Sequence, residues 1–167
     1  LSLMRPLGLL KEVTNSYIWI TLADNLCNLG KLSNFLSLSS YLGGDDLLRG
    51  GTGDDRLFGN SGHDSLYGDV GADILVGGHG DDLLRGGVGS DLLIGGHGSD
   101  IFVLAQGEGE DTIHDFQVGV DVIGIAGGIN FSDLSFVGNT ILFGQETLAT
   151  LTGVNTTTLD AGAFVQV

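Results

Sequence analysis

Apolar residues recur along the middle of this chain with a period of nine. Written in nines from Tyr41, residues 41–103 read YLGGDDLLR, GGTGDDRLF, GNSGHDSLY, GDVGADILV, GGHGDDLLR, GGVGSDLLI and GGHGSDIFV, without a gap. The eighth position is always large and apolar: Leu48, Leu57, Leu66, Leu75, Leu84, Leu93 and Phe102. The fourth is always glycine: Gly44, Gly53, Gly62, Gly71, Gly80, Gly89 and Gly98. The sixth is always aspartate: Asp46, Asp55, Asp64, Asp73, Asp82, Asp91 and Asp100.

The last three residues of each block predict a short strand whose middle, apolar side chain faces a core. The Gly-rich residues before it predict a sharp turn, because glycine tolerates positive φ and close backbone approach. Two blocks then make one coil of two strands and two loops. Coils stack at the ~4.8 Å strand spacing, so loops on one edge become vertical neighbours. This stacking brings together aspartates of alternate blocks: Asp46/Asp64, Asp55/Asp73, Asp64/Asp82, Asp73/Asp91 and Asp82/Asp100.

Charge changes the picture. Residues 41–103 hold 11 acids against three bases, Arg49, Arg56 and Arg85. The whole chain holds 21 acids against 6 bases, a formal charge of −15. That balance argues against nucleic acid and anionic membrane surfaces as partners. Stacked carboxylates repel, and a hard dication between successive loops relieves them with six to eight oxygen ligands. Ca²⁺ suits a roomy carbonyl-rich loop better than Mg²⁺, and the loops lack the Cys and regular His sets that Zn²⁺ prefers. Cys27 is the single cysteine, so no internal disulfide forms, and metal is a candidate staple.

The blocks resemble the G-G-x-G-x-D-x-U-x nonapeptide of RTX, or haemolysin-type, calcium-binding proteins. The resemblance implies an all-β fold, a right-handed parallel β-roll solenoid with a C-terminal β-rich cap. It implies Ca²⁺ held between loop n and loop n+2 by the paired aspartates and by loop carbonyls. The carbonyl donors expected are the fourth-position glycines above and the second-position residues Gly51, Asn60, Asp69, Gly78, Gly87 and Gly96. Asn60 and Asp69 depart from the glycine pattern, as do Tyr41 and Leu42, but a backbone carbonyl survives such changes.

Beyond Val103 the register slips. Gly109, Asp111 and Ile113 keep the four-six-eight spacing two residues late, and Gly119, Asp121 and Ile123 repeat it. We read residues 104–123 as degenerate repeats that close the roll, with Asp111 pairing Asp91 at a sixth site. Residues 124–167 change character. TILF, TLATL and AFVQV predict strands, with turns at Gly138-Asn139 and Gly144-Gln145. This stretch resembles the β-rich C-terminal cap of RTX proteins, where a type I secretion signal resides. Residues 1–40 do not follow the repeat and are assigned as an irregular N-terminal flank or cap. VTNSYIWITL predicts a strand there, and no signal peptide pattern is evident.

No H-E-x-x-H or G-x-S-x-G motif occurs, so the chain is expected to carry no catalysis of its own. His63, His79 and His97 are expected to be exposed loop residues, not ligands. The expected protein is a secreted, extracellular bacterial calcium-binding module, monomeric, without a membrane span. Its expected partners are Ca²⁺ and the type I secretion machinery. The alternatives are the accessory C-terminal domain of a secreted hydrolase, or a fragment of an RTX cytolysin or adhesin.

Overall fold

The computed structural model of the protein describes residues 37–39 and 43–167. The strand expected in residues 13–22, and most of the N-terminal flank, lie outside the described residues.

The described part is all-β. Its strands are β1 (Ser37–Ser39), β2 (Leu47–Thr52), β3 (Arg56–Ser61), β4 (Ser65–Val70), β5 (Ile74–His79), β6 (Leu83–Val88), β7 (Leu92–His97), β8 (Ile101–Leu104), β9 (Asp111–Ile113), β10 (Val122–Ile125), β11 (Leu134–Val137), β12 (Thr140–Phe143), β13 (Glu146–Leu151) and β14 (Phe164–Gln166). Three single-turn 3₁₀ segments interrupt the C-terminal third, and no α-helix occurs among the described residues.

Successive strands alternate between two sheets. One has the order β1-β3-β5-β7-β9-β13-β12-β11, the other β14-β10-β8-β6-β4-β2. Through the repeats every pairing is parallel and offset by 18 residues, as in Leu48↔Leu66 and Leu75↔Leu93. Each coil is therefore two nonapeptides. The eighth-position side chains point between the sheets and form a core one residue deep, with Leu57, Leu66, Leu75, Leu84, Leu93 and Phe102 fully buried. Their neighbours at positions seven and nine face outward and are half-buried, apart from exposed Arg49 and buried Val103.

The strands are longer than the three residues expected. β2 to β7 run six residues, from the seventh position through the third of the next block. The ladder skips the first-position glycine and resumes at the second, as in Arg49↔Tyr67 followed by Gly51↔Asp69. The second position takes positive φ, between +71° at Asn60 and +115° at Gly78. Asn60 and Asp69 adopt it because Asn and Asp are the side chains that tolerate this region best. The true turn is confined to positions four to six. There the glycine is obligatory: at Gly80, φ is +123°, and a Cβ would run into the carbonyl of Gly62 in the coil below.

The roll closes with non-repeat strands. β9 and β10 continue the two parallel ladders, at offsets of 20 residues (Leu93↔Ile113) and 21 residues (Phe102↔Ile123). β13 then stacks on β9 and β14 on β10, both parallel. The hairpins β11–β12 and β12–β13 extend the first sheet antiparallel. Their turns fall at Gly138-Asn139 and Gly144-Gln145, where sequence places them. Gly138 and Gly144 have φ of +63° and +65°, as the first central position of a type II′ turn requires. At the far end, Phe131, Phe136 and Phe164 pack with ring centroids 5.0–5.7 Å apart and tie β14 to β11. At the near end, β1 pairs with β3 in the same parallel sense, so the first sheet begins before the first nonapeptide.

Candidate metal centre

The sixth-position aspartates are carried by the turn into each strand and are buried. Asp55, Asp64, Asp73, Asp82 and Asp91 are 2–3 % exposed, and Asp100 is fully buried. They form two columns, one on each edge of the roll. Asp46, Asp64, Asp82, Asp100 and Asp121 make the first; Asp55, Asp73, Asp91 and Asp111 make the second. Each column is joined by one repeated hydrogen bond. The backbone N–H of each aspartate donates to Oδ1 of the aspartate one coil above. The distances are 2.8 Å for Asp46 to Asp64, 2.7 Å for Asp55 to Asp73 and 2.8 Å for Asp64 to Asp82. They are 2.7 Å for Asp73 to Asp91 and 2.9 Å for Asp82 to Asp100.

The second oxygen is different. Oδ2 of Asp55, Asp64, Asp73, Asp82, Asp91 and Asp100 is buried and has no hydrogen-bond partner. A buried ionised oxygen without a donor is costly, by several kcal/mol. The repetition of the defect in six successive blocks makes it a feature of the repeat. Each of these oxygens points at the first-position glycine of its own block. For Gly50, a Cβ would stand 2.7 Å from Asp55 Oδ2 and 2.7 Å from the carbonyl oxygen of Gly68 in the coil above. The same convergence recurs at Gly59, Gly68 and Gly77, where the carbonyls of Gly77, Gly86 and Gly95 approach Asp64, Asp73 and Asp82. A carboxylate oxygen and a carbonyl oxygen thus share a cradle that only glycine leaves open.

Burial raises the affinity of these carboxylates for protons. It pushes Asp64, Asp73 and Asp100 up to about 6, opposed by the N–H bond each accepts and reinforced by the aspartates above and below. Asp82, Asp91 and Asp121 are raised by the same cause. Asp111 is pushed up to about 8, by burial first and then by Asp91 beneath it. These are acceptor-only groups that need a positive charge. Two of the three bases of the repeats are engaged with other acids: Arg49 pairs with Asp69 at 2.6 Å and Arg85 with Glu108 at 2.5 Å, both on the outer surface.

Among the described residues no three His, Cys, Asp or Glu side chains converge tightly enough to hold a metal ion by themselves. A cation here must complete its shell with backbone carbonyls, which excludes Zn²⁺-type sites and fits a hard ion of high coordination number.

All the sequence-predicted aspartates fall in the two columns, and Asp111 joins Asp91 by a 3.2 Å bond. Sequence reasoning missed several participants. Asp121 accepts from the Asp100 N–H at 3.0 Å and so adds a top level to the first column. Its other oxygen takes the Gln117 N–H at 2.7 Å. Asp115 accepts from the N–H groups of Gly95 and Gly96 at 3.0 and 2.9 Å, while the Gln117 amide donates to the Gly96 carbonyl at 3.1 Å. The first-position carbonyls that face these carboxylates were also overlooked.

A second, exposed ladder runs through the fifth position. Asp45, Asp54 and Asp81 accept from the N–H groups of His63, Ala72 and Ser99. His63 is exposed as expected, but it is a member of this ladder: its Nδ1 accepts from the Asp81 N–H at 2.8 Å. His79 and His97 are exposed and stack on each other, with centroids 4.9 Å apart.

Two parallel sheets, joined by glycine turns that stack buried, half-satisfied carboxylates against carbonyls, define a calcium-binding β-roll module. Residues 42–75 and 76–113 each match the family described as RTX calcium-binding nonapeptide repeat (4 copies), and this segment of the chain is an array of those repeats. Such a β-roll is a structural calcium-binding domain, not a catalytic one. The extracellular lipase LipA from Serratia marcescens is similar, with 25% identity and a TM-score of 0.39. That match covers 76% of this chain and 20% of the lipase, so the chain spans about a fifth of that protein's length. The AlgE6R3 subunit of the Azotobacter vinelandii mannuronan C5-epimerase is similar at 28% identity, with a TM-score of 0.29, covering 74% of this chain and 78% of that one. No curated protein matches the chain. No helix among the described residues is long and apolar enough to cross a membrane.

The cradle gives a direct test. Gly77 keeps negative φ, so Ala strains no dihedral there, yet its Cβ would fill the space between Asp82 Oδ2 and the Gly95 carbonyl and force both to shift. Gly77→Ala is expected to fold in excess Ca²⁺ and bind one ion fewer by isothermal calorimetry. Gly80→Ala, at positive φ and against the Gly62 carbonyl, is expected to lose the roll even in excess Ca²⁺ by circular dichroism.

Proposed function

We propose that this chain is a calcium-triggered folding module that stays unfolded where Ca²⁺ is scarce and folds outside the cell. The six buried, unpartnered Oδ2 atoms carry this reading. The ions would sit between loops n and n+2. Asp46, Asp55, Asp64, Asp73, Asp82, Asp91, Asp100 and Asp111 would supply carboxylates. Backbone carbonyls would come from the fourth-position glycines and the second-position residues Gly51 to Gly96, joined by the first-position carbonyls of Gly68, Gly77, Gly86 and Gly95. Bound Ca²⁺ supplies the positive charge that the Asp columns lack.

The chain's own residues explain why folding needs it. Ordering a Gly-rich backbone costs about 1–2 kcal/mol per residue, and the core is one side chain deep. Metal binding is then folding free energy. Extracellular modules of this kind operate at dissociation constants of roughly 10⁻⁴–10⁻³ M. Export of an unfolded chain through a type I machinery, with the C-terminal strands as signal, fits this behaviour and the family resemblance. The module would serve a larger secreted protein whose chemistry lies elsewhere.

Far-UV circular dichroism during a Ca²⁺ titration tests the reading. A cooperative gain of β-structure is expected, reversed by chelator and not reproduced by the same concentration of Mg²⁺. Full β-structure in excess chelator at neutral pH would overturn it.

A further inference from the structure

The two edges of the roll are unlike. In the second to seventh blocks the third position ends a strand and is exposed at an edge. On one edge it holds Thr52, Val70 and Val88, set in register by β2, β4 and β6. On the other it holds Ser61, His79 and His97, set in register by β3, β5 and β7. The imidazoles of His79 and His97 stack, with centroids 4.9 Å apart and planes 15° apart. A rung spacing of ~4.8 Å imposes that separation. The ladder fixes both backbones: the His79 carbonyl accepts the Gly62 N–H at 2.9 Å, and the His97 carbonyl accepts the Gly80 N–H at 2.8 Å. His63, on the same edge, differs, because its Nδ1 is taken by the Asp81 N–H. Among the described residues no hydrogen bond or ion pair occupies the ring nitrogens of His79 or His97.

We propose that His79 and His97 form a second metal site, chemically separate from the aspartate columns, that takes a first-row transition ion through imidazole nitrogen, with water completing the shell. Imidazole suits Cu, Ni and Zn, and Cu²⁺ stands highest in the affinity order, whereas Ca²⁺ takes oxygen. The spacing fits. Metal–nitrogen bonds of ~2.0–2.1 Å at roughly 90–109° place two nitrogens about 2.9–3.4 Å apart. From 4.9 Å, each exposed ring leans inward by less than about 1 Å, a small rotation about its side-chain torsions. Both rings stand on paired strands, so the second bond closes within one rigid body, which a lone surface imidazole such as His114 does not offer. Taken singly, neither histidine was expected to be a ligand; coils of 18 residues make them a pair. An ion held there ties two successive coils together at their rim.

The sample is the full chain carrying Cys27→Ser, so that no thiol competes, saturated with Ca²⁺ so that the aspartate columns are filled. Cu²⁺ titration by calorimetry is expected to show a site that needs both rings, and the electron paramagnetic resonance spectrum at one equivalent should show coupling to two imidazole nitrogens. His79→Ala and His97→Ala are each expected to weaken that site about tenfold or more and to remove the two-nitrogen signature. His97→Gln, which keeps bulk at the position, should do the same. His114→Ala should leave both readouts as they were. Circular dichroism in Ca²⁺ is expected to be unchanged throughout, because both rings are exposed. Equal losses in His79→Ala and His114→Ala, or a one-nitrogen spectrum in the parent chain, would mean an adventitious ion only and overturn the proposal. So would Cu²⁺ affinity indifferent to His79→Ala and His97→Gln. Failure of Ca²⁺ to induce β-structure would instead strike the calcium-folding reading, which circular dichroism reports separately.

Discussion

In excess chelator the chain is expected to hold most β-structure near pH 4 and to lose it as the pH is raised through 6 towards 8. The sign follows from the direction of the shifts. In the fold, burial raises Asp64, Asp73 and Asp100 to about 6 and Asp111 to about 8, against about 3.9 in an unfolded chain. A raised carboxyl favours the fold only while protonated. Its contribution is complete below the unfolded value and disappears as pH climbs through the folded one. For a carboxyl moved from about 4 to about 6, the ionised fold is penalised by on the order of 3 kcal/mol. Asp64, Asp73 and Asp100 alone then approach the 5–15 kcal/mol that holds a whole domain together. With Ca²⁺ present the dependence reverses. The ligands must be ionised to bind, so apparent affinity falls as pH drops through the same window. Urea midpoints measured with chelator and with Ca²⁺ across pH 4 to 8 should therefore slope in opposite directions. A chelated protein more stable at pH 8 than at pH 4 would show that the columns are not buried carboxylates awaiting a cation.

That behaviour was legible in sequence to the extent that the period was strict. Three fixed positions in nine define coil length, core side chain and stacked aspartate, because an 18-residue coil places identical positions above one another. Legibility ended where the offset changed. Asp121 keeps the local four-six-eight spacing but sits 21 residues above Asp100, not 18, so the period alone does not make it the next rung. Ala149 lies opposite Asp111 in the neighbouring strand, 38 residues on, so an apolar residue tops the second column. Nothing local to residues 146–151 reveals that a strand formed as half of a hairpin also ends a parallel ladder.

The division of labour within each carboxylate was also invisible. In Asp64, Asp73, Asp82, Asp91 and Asp100 one oxygen accepts the N–H below and Oδ2 is buried without a hydrogen-bond partner. The eighth-position core and the hairpin turns were readable because they rest on local patterns. The cradle at the first-position glycine was not, because it exists only when two coils meet.

The same two-oxygen arrangement makes Asp82, in the middle of the first column, a sensitive position. Oδ1 serves the level below by accepting the Asp64 N–H, and Oδ2 serves the level above, facing the Gly95 carbonyl. Asp82→Asn is therefore expected to damage two ion sites at once. If each loses about tenfold in affinity, the fold loses about 3 kcal/mol at fixed Ca²⁺, at about 1.4 kcal/mol per decade, and the Ca²⁺ midpoint of folding, shared by about six coupled ions, moves up roughly twofold. In chelator the sign inverts: the isosteric amide removes a buried charge that burial already disfavours, so the metal-free chain should be more stable than wild type. The neighbour Asp81 supplies the control. It is exposed, and its Oδ1 accepts the Ser99 N–H at 2.8 Å, so Asp81→Ala should cost about 1 kcal/mol and leave ion stoichiometry unchanged. Calorimetric stoichiometry and folding midpoints for the two variants separate the roles of adjacent aspartates. Equal effects would mean that the charge of the loop matters and the buried column does not.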